Sequence, residues 1–366
     1  MLVGSLAGCT AGTTGETPPA ASPPASSQTD PAAGIPLGEP SVLAEGITGT
    51  PWELVVMDSG SSLVSFRDTG SIGELTENGE VREVATIGDA VIQGTSGVLG
   101  IALLEGAEGE PTYLYAFYTA DDSQRIVRAP LTGTTGSYAL GAFETVLDGI
   151  PRGERHNAGR IAFGPDGMLY AATGDPDQEH AQDPESLAGK ILRLTPEGEV
   201  PGDNPTAGSY VYSLGHRNIE GLAWSADGTM WASEFGEDAW DELNEIVPGG
   251  NYGWPEIEGE GGAPDFIDPV LTWSVADASP AGIAVVDNTV FMANLRGESL
   301  MAIDVSDPAG ATFTTYFRGE FGRLREVDLA PDGESLLVLT SNSDSNGEPR
   351  EGDERLLSVP LETAAG

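Results

Sequence analysis

The chain has 366 residues, enough for one large core or two ordinary ones. With 58 acidic against 16 basic side chains its formal net charge is −42, so it lacks the basic surface from which nucleic-acid phosphates displace counterions. The 50 glycines and 26 prolines signal many turns and argue against a helical bundle.

The first feature in chain order is "LAGC", ending at Cys9, the only cysteine, which excludes an internal disulfide. A short apolar run, a cysteine and then a polar stretch resemble the lipobox of bacterial lipoproteins, so residues 1–9 read as a remnant signal. The residues before Cys9 are fewer than a signal peptide with a basic n-region needs. Residues 10–39 are Thr, Pro, Ser, Ala and Gly with almost no large apolar groups, the composition of a disordered tether. Together these segments predict an extracytoplasmic domain held at a membrane through a lipid on Cys9.

From residue 40 the chain reads as short β-runs broken by turns: "WELVVMDSGSSLVSF", "IAFGPDGMLYAA", "LAWSADGTMWAS", "IAVVDNTVFMA" and "VDLAPDGESLLVL", with a looser copy in "IALLEGAEGEPTYLYAF". Each is run, turn, run, as in a β-hairpin. The turn markers Gly60, Gly109, Gly167, Gly228, Asn288 and Gly333 recur at intervals of 45 to 61 residues. Four-stranded blades take roughly 40–50 residues plus loops, so the spacing predicts an all-β, six-bladed β-propeller over residues 40–366. A stack of β-sandwiches would not explain the recurring turn chemistry. Propeller sites lie in loops on one rim.

Four such loops carry unusual chemistry. His156, in "RHNAGR", has an imidazole that ordinarily titrates near neutrality, as a general base should. The hairpin that follows runs out and back to Asp175, which predicts a carboxylate facing and orienting His156; a solvated loop histidine and a turn aspartate are the plainer alternative. "SLGHRNIEG" brings His216, Arg217 and Asn218, and "NLRGESL" brings Arg296. In "EFGRLREVDL", period-two spacing predicts Arg323 and Arg325 on one face. Local ion pairs would explain any one arginine, whereas several converging on one axis point to a polyanionic small molecule. The carboxylate- and glycine-rich stretch 233–262 offers hard oxygen ligands for Ca²⁺, or an acidic surface loop. Zinc spacing, a phosphate-binding glycine loop and a serine nucleophile elbow are all absent from the sequence.

The strings "HNAGRIAFGPDGMLYAATGD", "LAGKILRL", "YSLGHRNIEGLAW", "DELNEI" and "GGNYGWP", in this order, resemble the soluble PQQ-dependent glucose and aldose sugar dehydrogenases, the glucose/sorbosone dehydrogenase family. The resemblance runs from Pro51 to Leu356 and implies a six-bladed propeller that oxidises an aldose to the lactone with pyrroloquinoline quinone (PQQ) and Ca²⁺. It implies His156 as base, Asp175 as its orienter and Arg217 near the reactive quinone carbonyl. Asn218, Arg296, Arg323 and Arg325 would contact the cofactor. Backbone carbonyls of Gly236 and Glu237 would hold the cofactor's calcium, and Glu242 and Tyr252 a second, structural one.

Two positions depart from the pattern. Thr95 in "TSGVLG" stands where relatives carry Gln or Glu, which removes one cofactor contact, and the loop after "SPAG" lacks an aromatic insert. A calcium-dependent lactonase or esterase and a non-catalytic sugar-binding propeller therefore stay open as rivals. The expected partners are a small-molecule sugar and a separate electron acceptor, for a chain that works as a monomer or a dimer.

Overall fold

The computed structural model describes residues 34–57, 59–76, 80–107 and 109–362, together with Met1. Cys9 and most of the expected tether lie outside them. Among the described residues there are 25 strands and one helical turn, the 3₁₀ segment Pro308–Gly310, so none forms a helix long and apolar enough to cross a membrane.

The strands form six antiparallel sheets arranged as blades. Blade 1 is Pro51–Val56, Ser62–Phe66, Ser71–Leu75 and Val81–Thr86; blade 2 is Val98–Leu104, Thr112–Thr119, Gln124–Thr132 and Glu144–Ile150, with a short appended strand, Ala139–Leu140. Blade 3 is Ala158–Phe163, Leu169–Thr173, Lys190–Leu194 and Val211–Leu214, and blade 4 is Ile219–Trp224, Met230–Glu234, Trp240–Ile246 and Leu271–Ser274. Blade 5 is Pro280–Val286, Thr289–Asn294, Ser299–Asp304 and Thr312–Tyr316. Blade 6 combines Leu324–Leu329, Ser335–Thr340 and Leu356–Pro360 with the N-terminal strand Ser41–Ala44. The first strands of successive blades touch in sequence, and those of blades 6 and 1 close the ring. The expected six-bladed propeller is the fold.

All six turn markers fall between the first and second strands of a blade. Five are glycines at positive φ, from 69° at Gly333 to 91° at Gly109 and Gly228. In blade 5 the left-handed residue is Asp287 (φ 52°), beside the expected marker Asn288, because Asp also tolerates this region. Six apolar clusters fill the gaps between neighbouring blades; Trp231, Leu243 and Trp273 of blade 4, for example, meet Ile283, Met292 and Met301 of blade 5.

The folded part begins before the expected boundary at residue 39. Ile35 N donates to Thr289 Oγ1 at 3.1 Å, and buried Leu37 pairs with Leu361. Apolar contacts and backbone hydrogen bonds thus hold residues that composition alone assigns to the tether.

A second regularity was not visible in the sequence. Every innermost strand carries a β-bulge near its start: between Pro51 and Leu54, Val98 and Ile101, Ala158 and Ile161, Ile219 and Gly221, Pro280 and Ile283, and Leu324 and Glu326. A bulge breaks the two-residue alternation and re-aims side chains. Here it turns Glu53, Arg160, Glu220 and Arg325 into the buried axis of the ring. Gly282 makes room for this layer, since a Cβ there would lie 2.1 Å from Glu326 Oε1.

Candidate active site

The loops entering each innermost strand and those joining second to third strands share one rim. They carry His156, Asp175, Arg217, Asn218, Gly236, Glu237, Arg296 and Arg323. His156 and Arg217 meet there: Arg217 Nη2 lies 2.8 Å from His156 Nε2. A guanidinium only donates, so Nε2 accepts and the ring proton resides on Nδ1. Nδ1 is buried without a partner. Burial, then the positive charge of Arg217, pushes the imidazole down to about pKa 4; the backbone and charge of Asp175 oppose this only in part.

The backbone around the imidazole is strained. His156, Ala158 and Gly159 have φ of 53°, 43° and 102°. For the non-glycine residues such a conformation costs of order 1–3 kcal/mol each. Gly174 backs the loop, because a Cβ at that position would sit 1.8 Å from the His156 carbonyl oxygen.

Asp175 does not orient the imidazole through its carboxylate. That group accepts from His180 N (3.2 Å) and Ala181 N (3.1 Å), capping the turn that follows it, while Asp175 N donates to Arg217 O at 2.8 Å. The out-and-back path returned the backbone to the rim, but a short side chain beside free N–H groups bonds locally first. Lys190, the only lysine, secures the same loop by donating to the carbonyls of His180, Ala181 and Ala188.

Arg217 reaches the calcium-binding candidates as well. Its Nη1 donates to Gly236 O at 2.7 Å and Phe235 O at 3.2 Å, with its Cζ 5.3 Å from the Trp254 ring. Glu234, which sequence reasoning missed, fixes the "HRN" loop by accepting from Arg217 N, from Asn218 N at 3.3 Å and from His216 Nδ1 at 3.0 Å. Its only signal was its place at the end of a rim-directed strand. Glu258, also missed, collects the N–H groups of Glu237, Ala239 and Trp240 on one oxygen. The Glu237 side chain turns away to Gln178 Nε2 at 2.7 Å.

Glu242 and Tyr252 line one small cavity together with Glu234, Trp254 and Glu258; at ≈ 10 Å³ it has room for a single water-sized occupant. Burial, then the nearby Glu234 charge, raises Glu242 to about pKa 8. The Tyr252 hydroxyl is committed to Glu245 O at 2.6 Å. Among the described residues, no three acidic or histidine side chains converge as a preformed metal cage.

The arginine pair diverges. Arg323 Nη2 bonds Asp344 at 2.9 Å, whereas Arg325 Nη2 bonds Glu220 at 2.6 Å and its guanidinium lies 4.1 Å over Trp52. The bulge at Arg325 breaks the alternation that period-two spacing assumed. Asn218 reaches the same Glu220 carboxylate at 2.6 Å. Arg296 stands apart, exposed, on Val275 O. Beneath this layer Arg160 pairs with Glu53 (2.7 Å) and Glu326, plugging the channel. Beyond the plug, a cavity of ≈ 400 Å³ is lined by Glu53, Phe163, Glu326 and Asp328, on the hairpin side of the ring.

The family model described as Glucose / Sorbosone dehydrogenase matches residues 48–348. The chain belongs to this family. It is 33% identical over 228 residues to quinoprotein glucose dehydrogenase B of Acinetobacter calcoaceticus, covering 53% of this chain and 47% of that protein. To the aldose sugar dehydrogenase YliI of Escherichia coli it is 28% identical over 340 residues, 80% of this chain and 87% of that protein. Among solved structures, the PQQ-bound aldose sugar dehydrogenase of Streptomyces coelicolor superposes with a TM-score of 0.86 at 45% identity, over 91% of this chain and all of that one. The glucose/sorbosone dehydrogenase family thus supplies the setting for the rim described above.

Proposed function

We propose that this chain oxidises an aldose at C1 to the lactone with PQQ as cofactor and calcium as the cofactor's metal. Family membership and the PQQ-bound neighbour support sugar oxidation by a PQQ-dependent oxidoreductase. The single observation that carries the finer reading is the neutral His156 imidazole in contact with Arg217 on the rim.

The donor set fits a quinone rich in carboxylates and carbonyls. Arg217 Nε and Arg323 Nε are buried donors without partners. The oxygen-rich surroundings of Gly236 and Glu242 fit calcium, which takes carbonyl and carboxylate ligands together. Asn244 Oδ1, beside Glu242, is likewise buried and unpaired. Gly236 and Glu237 carbonyls would hold one ion, and Glu242 with Tyr252 a second.

When bound, PQQ would supply the acceptor for the hydride leaving C1. The protein supplies the base. His156 is unprotonated at neutral pH, and its Nε2 would take the proton of the C1 hydroxyl. In the structure Arg217 holds that lone pair, so base action requires the guanidinium to leave the ring. Once displaced it keeps a fixed positive charge beside the reacting centre, where developing negative charge needs it. A lipid on Cys9 would hold the domain outside a membrane; mass spectrometry of Cys9 in membrane fractions tests that part.

His156→Ala should lower turnover by about 10²–10⁴-fold after reconstitution with PQQ and Ca²⁺, while the bound quinone spectrum persists. Wild-type turnover in the variant would overturn the base assignment. Hydrolysis of lactones without any bound quinone would favour the hydrolase reading instead.

A further inference from the structure

We propose that Asn157 is a positioning residue that holds the His156 imidazole in place through contacts reaching across blades. This inference rests on the reading of His156 as the base. Asn157 is 1% exposed, and its carboxamide is fully engaged. Oδ1 accepts from Gly153 N at 3.1 Å. Nδ2 donates to Thr95 Oγ1 at 2.9 Å and Gly153 O at 3.0 Å, with Ser96 Oγ at 3.3 Å. Its backbone carbonyl accepts from the buried Gln124 Nε2 at 2.7 Å. These partners come from three places: the loop between blades 1 and 2, the third strand of blade 2, and the His156 loop itself.

The purpose of so many contacts lies in the backbone they brace. Positive φ at His156, Ala158 and Gly159 is a conformation that the first two residues would leave if released. Asn157 sits inside that run and pins it from the blade 1–2 side, while Gly174 closes it from the blade 3 side. The imidazole is thereby kept 2.8 Å from Arg217. Thr95 acquires a role in the same stroke. Its hydroxyl oxygen accepts from Asn157 Nδ2 and so braces the loop that carries the base.

A base displaced by about 1 Å loses on the order of 10²-fold in rate. Asn157→Ala should therefore lower kcat about 10–100-fold, while KM for the sugar and the PQQ dissociation constant stay within about twofold. Asn157→Asp, which keeps the acceptor and loses the Nδ2 donors, should fall between. Thr95→Val should lower kcat by a smaller factor, and Thr95→Ser should restore it. A second readout needs no cofactor. With three histidines in the chain, ¹⁵N-histidine NMR of the free protein resolves the His156 ring, and Asn157→Ala should shift its Nε2 resonance away from the Arg217-bonded position.

The outcomes separate cleanly. If His156→Ala is inactive but Asn157→Ala and Asn157→Asp keep wild-type kcat and an unshifted ring, the positioning role is wrong and the base stands. If His156→Ala is fully active, the base reading fails and this inference with it. Equal losses in kcat, KM and PQQ affinity would mean a general collapse of the rim, which also overturns it. Should Asn157→Ala not fold, Thr95→Val against Thr95→Ser decides: equal kcat in both counts against the proposal.

Discussion

At the scale of single residues, the environment of His156 matters more than its identity. An imidazole ordinarily near 6.5 is pushed down to about 4, first by burial and then by Arg217. Between those values the unfolded chain takes up a proton that the folded protein refuses. Stability should therefore fall on acidification from about pH 6.5 towards 4, and this contribution levels off below that. Urea midpoints of wild type and His156→Gln, measured from pH 7 to 4, check the sign; parallel curves would show that His156 carries no such burden. Asp175 teaches the complementary lesson. The out-and-back path returns it to the rim, yet its carboxylate accepts from His180 N and Ala181 N of the following turn, which are adjacent in the chain.

At the scale of elements, the innermost strands decide what lies on the axis. Hairpin turns were legible because Gly and Asp chemistry at a turn is local. The bulges were not, since a bulge is a relation between two strands rather than a property of one. Their consequence is the Glu53–Arg160–Glu326 plug, in which Arg160 Nε also donates to the Glu220 backbone carbonyl at 2.8 Å. Arg160→Met would leave two buried carboxylates facing one another, and breaking such a pairing costs about 3–5 kcal/mol. Because burial raises Glu53 to about pKa 8, protonation eases the loss at neutral pH. The deficit against wild type in denaturant midpoint should thus widen from pH 7 to 9; a constant difference would contradict it.

At the scale of the whole molecule, the ring is closed by its ends. Ser41–Ala44 pairs with Leu356–Pro360, and Glu362 N donates to Pro36 O at 2.8 Å. Loop-closure entropy makes this the hardest contact to form and the one that locks the other blades. Deleting residues 34–44 should lower the thermal midpoint and expose blade 6 first. Limited proteolysis would then cut within 324–360 before any other blade, and uniform cleavage around the ring would argue against a closing role.

By itself, the sequence determined the number of blades and put His156 and Arg217 in loops that enter neighbouring blades on one rim. Each of these follows from patterns a few residues long: run, turn, run, and a dense motif before a strand. Tertiary structure decided the rest. It parted Arg323 from Arg325, set Arg217 on His156 and on Gly236 O, and gave Asp175 a turn to cap. It also built the axial ion network and recruited Thr95 to brace Asn157. The physical reason is the same in each case. A polar side chain entering a buried space takes whichever partner the neighbouring blade presents, and only the closed ring fixes which partner that is.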